Sequence, residues 1–120
     1  MDRLEHIYRL QHELDQKIAK KRDLNDITFE EWIQKDCLAI ISELSELMEE
    51  VNFKWWKNPK PLDMQRIHEE LIDVMHFLIS MCIKANLTPE DLYKSYLAKN
   101  VENVERQDGK SKKQGYLKKG

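Results

Sequence analysis

Apolar residues recur at intervals of three and four along most of this chain, and this helical period constrains its fold more than any other feature. The pattern predicts four helices, at about residues 2–22, 28–52, 63–85 and 88–106. Thr28, Asp63 and Thr88 stand where helix N-caps are expected, and Pro89 suits a first helical position. A loop with two prolines, residues 53–61, separates the second helix from the third. No segment reads as a strand, so the sequence predicts an all-α fold.

Composition limits the chain to one modest domain and excludes some partners. It has 120 residues, of which 35% are charged, and a formal net charge of −2, which argues against general nucleic-acid binding. Residues 99–120 nevertheless contain seven Lys or Arg against three acids, so an acidic body has a basic end. We therefore predict an all-α domain at residues 1–106 and a polar, basic tail at residues 107–120.

The two cysteines indicate a reducing environment. Cys37 and Cys82 each lie within an apolar helical pattern, which predicts two buried free thiols and a cytoplasmic location. The N-terminus lacks the hydrophobic segment of a signal peptide. The longest uncharged run, residues 74–83, is too short to span a bilayer, so we expect no membrane partner.

Two acidic pairs are the strongest functional signal. Glu43 and Glu46 lie one turn apart on the second predicted helix, and Glu70 and Asp73 do so on the third. If the helices pack side by side, four carboxylates crowd into one small volume, where their charges repel unless a cation is bound. Oxygen ligands of this kind favour Mg²⁺, or Mn²⁺, over zinc. Acidic pairs at this spacing are also common on solvated helices, so spacing alone leaves both interpretations open.

Two basic segments suit an anionic ligand, although each also has a structural explanation. Lys99, Asn103 and Arg106 share one face of the fourth helix, where Lys and Arg can hold phosphate oxygens. Cations at a helix C-terminus are favoured without any ligand as well. The loop at residues 53–60 combines three aromatic residues with three lysines, and it either closes the core or covers a ligand.

Gln11 interrupts the apolar stripe of the first helix. It is either a buried amide satisfied by its neighbours or a group that reads a nucleobase, because an amide offers both a donor and an acceptor. Other chemistries lack their signatures: His68 and His76 do not have the spacing of a zinc helix, and no Gly-x-Ser-x-Gly or glycine-rich phosphate loop occurs. If phosphates bind here, metals and side chains must hold them.

The spacing Glu43-x-x-Glu46, 23 intervening residues and Glu70-x-x-Asp73 resembles the metal-binding signature of the all-α nucleoside triphosphate pyrophosphatases, the superfamily that includes MazG proteins and dimeric dUTPases. Within it, the chain is most similar to the dimeric dUTPases. Five segments carry the likeness in order along nearly the whole chain: Leu10-Gln11, Glu43-x-x-Glu46-Leu, Phe53-Lys54-x-Trp56-Lys57-Asn58, Glu70-x-Ile-Asp73-x-x-His76-Phe77, and Lys99-Asn100-x-x-Asn103-x-x-Arg106 with Gly115-Tyr116 beyond.

The resemblance implies a role for each matching residue. Glu43, Glu46, Glu70 and Asp73 would bind Mg²⁺ ions that bridge a triphosphate, and Glu43 or Glu46 would activate the attacking water. The implied substrate contacts are Gln11 to uracil, His76 and Phe77 to deoxyribose, Lys99, Asn103 and Arg106 to sugar and phosphates, and Lys54, Trp56 and Lys57 from a loop that closes the site. The chain departs from the family at Asp15, where an asparagine usually completes base recognition, and in lacking a helical insertion before Lys99.

The function implied is Mg²⁺-dependent hydrolysis of dUTP to dUMP and pyrophosphate by a metal-activated water, in a four-helix bundle that forms a homodimer or a dimer of dimers. Two alternatives are a pyrophosphatase that clears a broader range of deoxynucleoside triphosphates and a non-catalytic helical adaptor. Helix two has no lysine at i, i+4 spacing between Glu43 and Val51 to balance its acids, which favours the enzyme over the adaptor.

Overall fold

Four helices account for most of the chain in the computed structural model, which describes residues 1–110. They are α1 (Arg3–Arg22), α2 (Phe29–Glu50), α3 (Met64–Lys84) and α4 (Pro89–Gln107). No strand occurs in this range. The prediction of an all-α fold is therefore confirmed, with helix ends within two residues of the predicted positions. The predicted features of the tail beyond residue 110, including Gly115 and Tyr116, lie outside the described residues.

Each helix begins at a capping side chain that accepts a hydrogen bond from the backbone three residues later. The oxygen-to-nitrogen distances are 2.8 Å from Asp2 to Glu5, 3.2 Å from Thr28 to Glu31, 3.3 Å from Asp63 to Arg66 and 3.1 Å from Thr88 to Asp91. These contacts satisfy backbone N–H groups that have no partner within the first turn of a helix. Local chemistry thus fixes where every helix starts.

The chain divides into two compact units, Met1–Asn86 with α1 to α3 and Leu87–Gly120 with α4. Within the first unit, α3 packs against both α1 and α2. The α2–α3 pair is antiparallel, because Asp36 near the start of α2 bonds to Lys84 at the end of α3. By contrast α1 runs parallel to α3, since Gln11 pairs with His76 and Asp15 pairs with Ser80 one turn later in both helices.

A buried acid fastens the α2–α3 hairpin at its closed end. The Glu50 carboxylate is 5% exposed and accepts from Arg66 Nε at 2.9 Å and from Lys60 Nζ at 3.3 Å. The Asn52 side-chain amide makes two hydrogen bonds to the Lys60 backbone, at 2.9 and 3.0 Å. Burying a carboxylate is costly unless it is paired, so this cluster holds the loop and the two helix ends together. It thereby sets the register in which the acidic pairs face each other.

The single chain buries few apolar side chains. In the described part of the chain only Tyr8, Ile79 and Cys82 are buried apolar residues. Both cysteines are free, but the prediction that both are buried is wrong: Cys37 is exposed, with its Sγ 3.9 Å from Met81 Sδ. Cys37 lies at the edge of the α2–α3 contact, where its sulfur reaches Met81 but much of the residue remains open to solvent. No single described helix is long and apolar enough to cross a membrane; only α3 and α4 taken together meet that test of length and composition.

Candidate metal centre and adjoining cleft

Three of the four predicted acids meet where α2 and α3 pack. Glu43, Glu46 and Glu70 each offer a carboxylate oxygen, and these oxygens lie within 4.8 Å of one another. Within residues 1–110, Glu43 Oε2 and Glu70 Oε2 are buried and have no hydrogen-bond partner. An acceptor buried without a donor is destabilising unless something else satisfies it. The cluster is therefore incomplete as a set of protein groups alone.

The pKa values of the clustered acids also indicate that positive charge is missing from the site. The pKa of Glu70 is raised from its ordinary 4.5 to about 7, chiefly by burial and in addition by the neighbouring Glu46 carboxylate. Burial also raises the pKa of Glu43, and the charges of Glu46 and Asp73 add to that rise. Both effects penalise the charged form, as expected for carboxylates crowded in a partly desolvated site. A bound cation would favour the charged forms and so lower the pKa values of both Glu43 and Glu70.

Asp73 lies at the edge of this cluster rather than among its three closest oxygens. Its charge nevertheless raises the pKa of both Glu43 and Glu70, and it lines the same cleft as Glu43. The donor set is carboxylate oxygen throughout, with no histidine or cysteine among the three clustered residues. Hard cations such as Mg²⁺ prefer such ligands, and the two unpartnered oxygens are acceptors of the kind they coordinate. The residues present thus fit a divalent cation.

A cleft of about 820 Å³ within the first unit begins beside these acids. All three helices of the unit contribute to its wall, together with residues that follow α1 and α3. Its polar and aromatic lining residues are Gln11, His12, Asp15, Gln16, Asn25, Trp32, Asp36, Glu43, Asp73, His76, Phe77, Ser80, Lys84 and Asn86. The volume is within the range of small-molecule sites, so a ligand here could lie next to a metal at the acids.

Gln11 is buried and hydrogen-bonded in the wall of the cleft. Its Nε2 donates to Asp15 Oδ1 at 2.9 Å, and its Oε1 lies 2.7 Å from Nδ1 of His76. Because an amide oxygen only accepts, His76 donates from Nδ1 in this arrangement. The Gln11 amide is thus satisfied by its neighbours, as the structural interpretation expects. It also lines the cleft, where a group that reads a nucleobase would have to lie. Phe77 lines the cleft beside His76.

A polar network that the sequence did not predict continues from Gln11 to the far end of the cleft. Ser80 donates to Asp15 Oδ2 at 2.7 Å, and Lys84 Nζ donates to Ser80 Oγ at 2.8 Å and to Asp36 Oδ2 at 2.7 Å. The Lys84 ammonium also lies 4.1 Å from the centre of the Trp32 ring. One signal could have found it: Ser80 and Lys84 extend the α3 stripe of Asp73 and Phe77 at helical spacing.

The aromatic and lysine-rich loop does not line this cleft. Lys54 is paired with Glu49 at 2.8 Å, and Trp56 is exposed with its ring edge-on to Trp55. Neither Trp56 nor Lys57 is among the lining residues. That this loop contacts a substrate stays a prediction.

The predicted phosphate contacts belong to the second unit. Lys99, Asn103 and Arg106 lie on α4 at intervals of four and three residues, so they share one face of that helix as the sequence indicated. Lys99 and Asn103 are exposed and Arg106 is half-buried. Their contact with phosphates stays a prediction.

Comparisons with known proteins give similar curated proteins and one matching family model. Two curated relatives are dCTP pyrophosphatases: that of Enterobacteria phage T4 is 31% identical, with 62% of this chain and 57% of the relative covered. That of Enterobacteria phage LZ5 is 32% identical, with 62% and 44% covered. The chain thus spans about half the length of these relatives. No solved structure matches it significantly.

A family model described as dUTPase matches residues 3–89. The match includes α1, α2, α3 and all four acids of the candidate metal centre. Because it covers most of the 120 residues, this protein belongs to the dUTPase family.

Proposed function

We propose that this protein hydrolyses deoxynucleoside triphosphates to the monophosphate and pyrophosphate in the presence of Mg²⁺. The observation that carries the proposal is the acid cluster, in which two buried carboxylate oxygens lack a donor beside a nucleotide-sized cleft. Mg²⁺ in proteins is commonly bound by a few carboxylates together with substrate phosphates. Membership of the dUTPase family and similarity to dCTP pyrophosphatases support the same reaction class.

The acids divide into binding and proton-transfer roles in this proposal. Glu43, Glu70 and Asp73 would hold the cation, and the exposed Glu46 would contribute an oxygen, orient the attacking water and accept its proton. Mg²⁺, or Mn²⁺, bound there would supply charge neutralisation for the triphosphate and would lower the pKa of a water molecule. Attack by water at a phosphorus atom needs no covalent intermediate, which fits a cleft without a nucleophile elbow.

The remaining residues bind and orient the nucleotide. His76 and Phe77 follow Asp73 by about one turn of α3, so a sugar attached to a phosphate at the acids would reach them. Gln11 contacts the base, while Lys99, Asn103 and Arg106 hold phosphate oxygens, with Lys54, Trp56 and Lys57 as further contacts. We also propose a cytoplasmic homodimer, or a dimer of dimers, as the working form.

Two pyrimidine nucleotides are the leading substrates. The family description favours dUTP, with dUMP as product. The names of the two phage relatives favour dCTP, and so does Asp15, which places a carboxylate beside Gln11. Both reactions use the same metal centre, so the choice between them depends only on the far end of the cleft.

Pyrophosphate release from a panel of deoxynucleoside and ribonucleoside triphosphates tests this function. We expect turnover of a deoxypyrimidine triphosphate with Mg²⁺ and none with excess EDTA. Comparable turnover of many deoxynucleotides would indicate a broad pyrophosphatase that clears the nucleotide pool. No turnover of any nucleotide with Mg²⁺ or Mn²⁺ would overturn the proposal and favour a non-catalytic adaptor.

A further inference from the structure

The polar network beyond Gln11 bears on which base the cleft accepts. Resting on the function proposed above, we propose that Asp15, held in position by Ser80, selects pyrimidines that carry an exocyclic amino group at ring position 4, and so favours cytosine over uracil. The argument uses where the base must lie and which donors and acceptors surround it there.

The position of the base follows from the helix that connects the acids to the network. Asp73 and Ser80 are seven residues apart on one stripe of α3, which is about 10 Å along the helix axis. His76 and Phe77 lie between them, at the level expected for the sugar. Ring position 4 of a pyrimidine is opposite the atom bonded to the sugar, so its substituent points farthest from the phosphates. That substituent therefore reaches the level of Ser80 and Asp15.

Asp15 offers only acceptors at this level. Its Oδ1 accepts from Gln11 Nε2 at 2.9 Å and its Oδ2 accepts from Ser80 Oγ at 2.7 Å. A carboxylate has about four lone-pair sites, so each oxygen can accept one more hydrogen bond. The Gln11 amide nitrogen has two hydrogens, of which Asp15 needs one, and Gln11 lines the cleft one turn closer to the acids. The wall of the cleft thus presents an acceptor, Asp15, at the depth of ring position 4, and a donor, Gln11, one turn closer to the acids.

The cation that contacts Ser80 is already engaged. Lys84 Nζ donates to Asp36 at 2.7 Å and to Ser80 at 2.8 Å, and it lies 4.1 Å from the centre of the Trp32 ring. Two of the three N–H groups of the ammonium are used in these hydrogen bonds, and the cation also faces the Trp32 ring. Lys84 therefore orients Ser80 toward Asp15, and its contacts hold the ammonium among Asp36, Ser80 and Trp32.

Cytosine and uracil differ at the atom that meets Asp15. Cytosine carries an amino donor at position 4 and an unprotonated acceptor at position 3, which match Asp15 and the second N–H of Gln11. Uracil carries a carbonyl oxygen at position 4, and this oxygen would face a carboxylate with no donor between them. Desolvating two acceptors against each other is unfavourable, so the wrong base loses a hydrogen bond and gains a repulsion.

Asp15→Asn tests this selection, because the amide keeps the shape of the carboxylate but can donate. We measure kcat/KM for dCTP and dUTP with Mg²⁺ and expect wild type to prefer dCTP. The ratio should fall by about ten- to a hundredfold in Asp15→Asn. Glu13→Gln is the matched control, since it makes the same change on α1 outside the cleft and should leave the ratio unchanged. Preference of wild type for dUTP, or an unchanged ratio in Asp15→Asn, would overturn the proposal.

A ligand without the amino group separates this contact from general effects on the cleft. The 2-pyrimidinone deoxynucleoside triphosphate lacks the position-4 amino group. Replacing dCTP with this analogue should reduce kcat/KM much more in wild type than in Asp15→Asn. Ser80→Ala, which removes the group that positions Asp15, should lower the dCTP to dUTP ratio in the same direction and by less. Equal losses in wild type and Asp15→Asn would show that Asp15 does not read the amino group.

Binding of monophosphates distinguishes failure of this proposal from failure of the proposed reaction. Calorimetry with dCMP and dUMP requires no turnover, and we expect tighter binding of dCMP by wild type and a smaller difference in Asp15→Asn. If no triphosphate is hydrolysed but this pattern holds, base selection stands and the reaction does not. If triphosphates are hydrolysed without base preference, the reaction stands and base selection is wrong.

Discussion

Glu46 differs from its two partners in the acid cluster because it is the exposed one. Glu43 and Glu70 are half-buried and each has a buried oxygen without a donor, whereas Glu46 is open to solvent. The buried pair is suited to holding a cation and the exposed residue to contacting a water molecule and a phosphate. At the scale of single residues, therefore, the three acids are not equivalent.

Replacing Glu46 with glutamine should remove most of the catalytic activity and preserve the fold. Removing a group that both binds the cation and orients the attacking water should reduce kcat by about a hundredfold or more. The metal-free variant should melt at the same temperature as wild type or higher, because one of the repelling charges is gone. Glu69→Gln is the control, as it removes an exposed charge beside the cluster and should keep activity. Near wild-type turnover in Glu46→Gln would contradict the metal-site assignment.

The stability of the metal-free protein should fall as the pH rises from about 4.5 to about 7. The folded state holds the Glu70 proton to about pH 7, whereas an unfolded glutamate releases it near 4.5. Between these values the unfolded state binds fewer protons, so the free energy of unfolding decreases with rising pH. Urea denaturation in EDTA at several pH values measures this decrease.

Glu70→Gln is the matched variant for this measurement. It removes the titrating group and should make the decrease shallower, leaving the part due to Glu43, whose pKa is also raised. Saturating Mg²⁺ should abolish the decrease in wild type, because the cation favours the charged form of each acid. Stability that rises over this pH range without metal would contradict the crowding of these carboxylates.

The acid cluster was predictable from sequence, whereas the polar network had only one sequence signal, the α3 stripe that carries Ser80 and Lys84. Two carboxylates three residues apart on each of two long helices define a face without reference to the rest of the chain. Asp15, Ser80 and Lys84 come from two helices that are far apart in sequence, and each residue alone is ordinary on a helix surface. Only the parallel packing of α1 on α3 makes a network of them.

At the scale of elements, the helix starts were the most predictable feature because each is fixed by its own residues. Thr28 caps α2, the helix that carries Glu43 and Glu46, through a hydroxyl that accepts from the Glu31 backbone at 3.2 Å. Helix ends were less predictable: α2 was expected to continue to about residue 52 but ends at Glu50. Asn52 already belongs to the loop: its φ is 60°, and its side chain hydrogen-bonds to the Lys60 backbone.

Thr28→Ala should destabilise the protein by about 1 kcal/mol, the usual cost of losing an N-cap. Thr28→Ser keeps the hydroxyl and should remain close to wild type. Urea denaturation of both variants measures the difference. Equal stability of the alanine and serine variants would show that the capping hydrogen bond does not contribute.

The basic face of α4 makes a separate prediction about nucleotide affinity. Lys99→Ala removes one exposed ammonium from the face that also carries Asn103, and it should weaken triphosphate binding by about tenfold, as expected for one charge-assisted hydrogen bond. Lys94→Ala on the same helix is the control, because Lys94 pairs with Glu90 at the surface, at 3.1 Å. Calorimetry with Ca²⁺ in place of Mg²⁺ measures affinity without turnover. Equal affinities in the two variants would indicate a solvated helix end.

At the scale of the whole molecule, the chain has more apolar surface than it covers. Leu38 and Ile41 are 66% and 61% exposed, and Met48 continues their stripe along α2 at helical spacing. On the helical wheel this stripe lies opposite Asp36 and Glu43, so the side of α2 that faces the cleft cannot cover it. The covered side of α2 mixes the buried polar residues Asp36 and Glu50 with half-buried Ile40 and Leu47, whereas its opposite side is apolar and exposed.

A second copy of the chain is the partner we expect on this stripe. Light scattering at micromolar concentration should give at least twice the 14.4 kDa of one chain, and the denaturation midpoint should rise with protein concentration. Ile41→Glu places a charge within the stripe, so it should lower both the mass and the midpoint. Ile41→Val keeps the surface apolar and should remain associated. The contrary result would be a wild-type monomer whose denaturation midpoint does not depend on protein concentration. One chain would then tolerate the exposed stripe in water, and the cleft between α1, α2 and α3 would form without a partner.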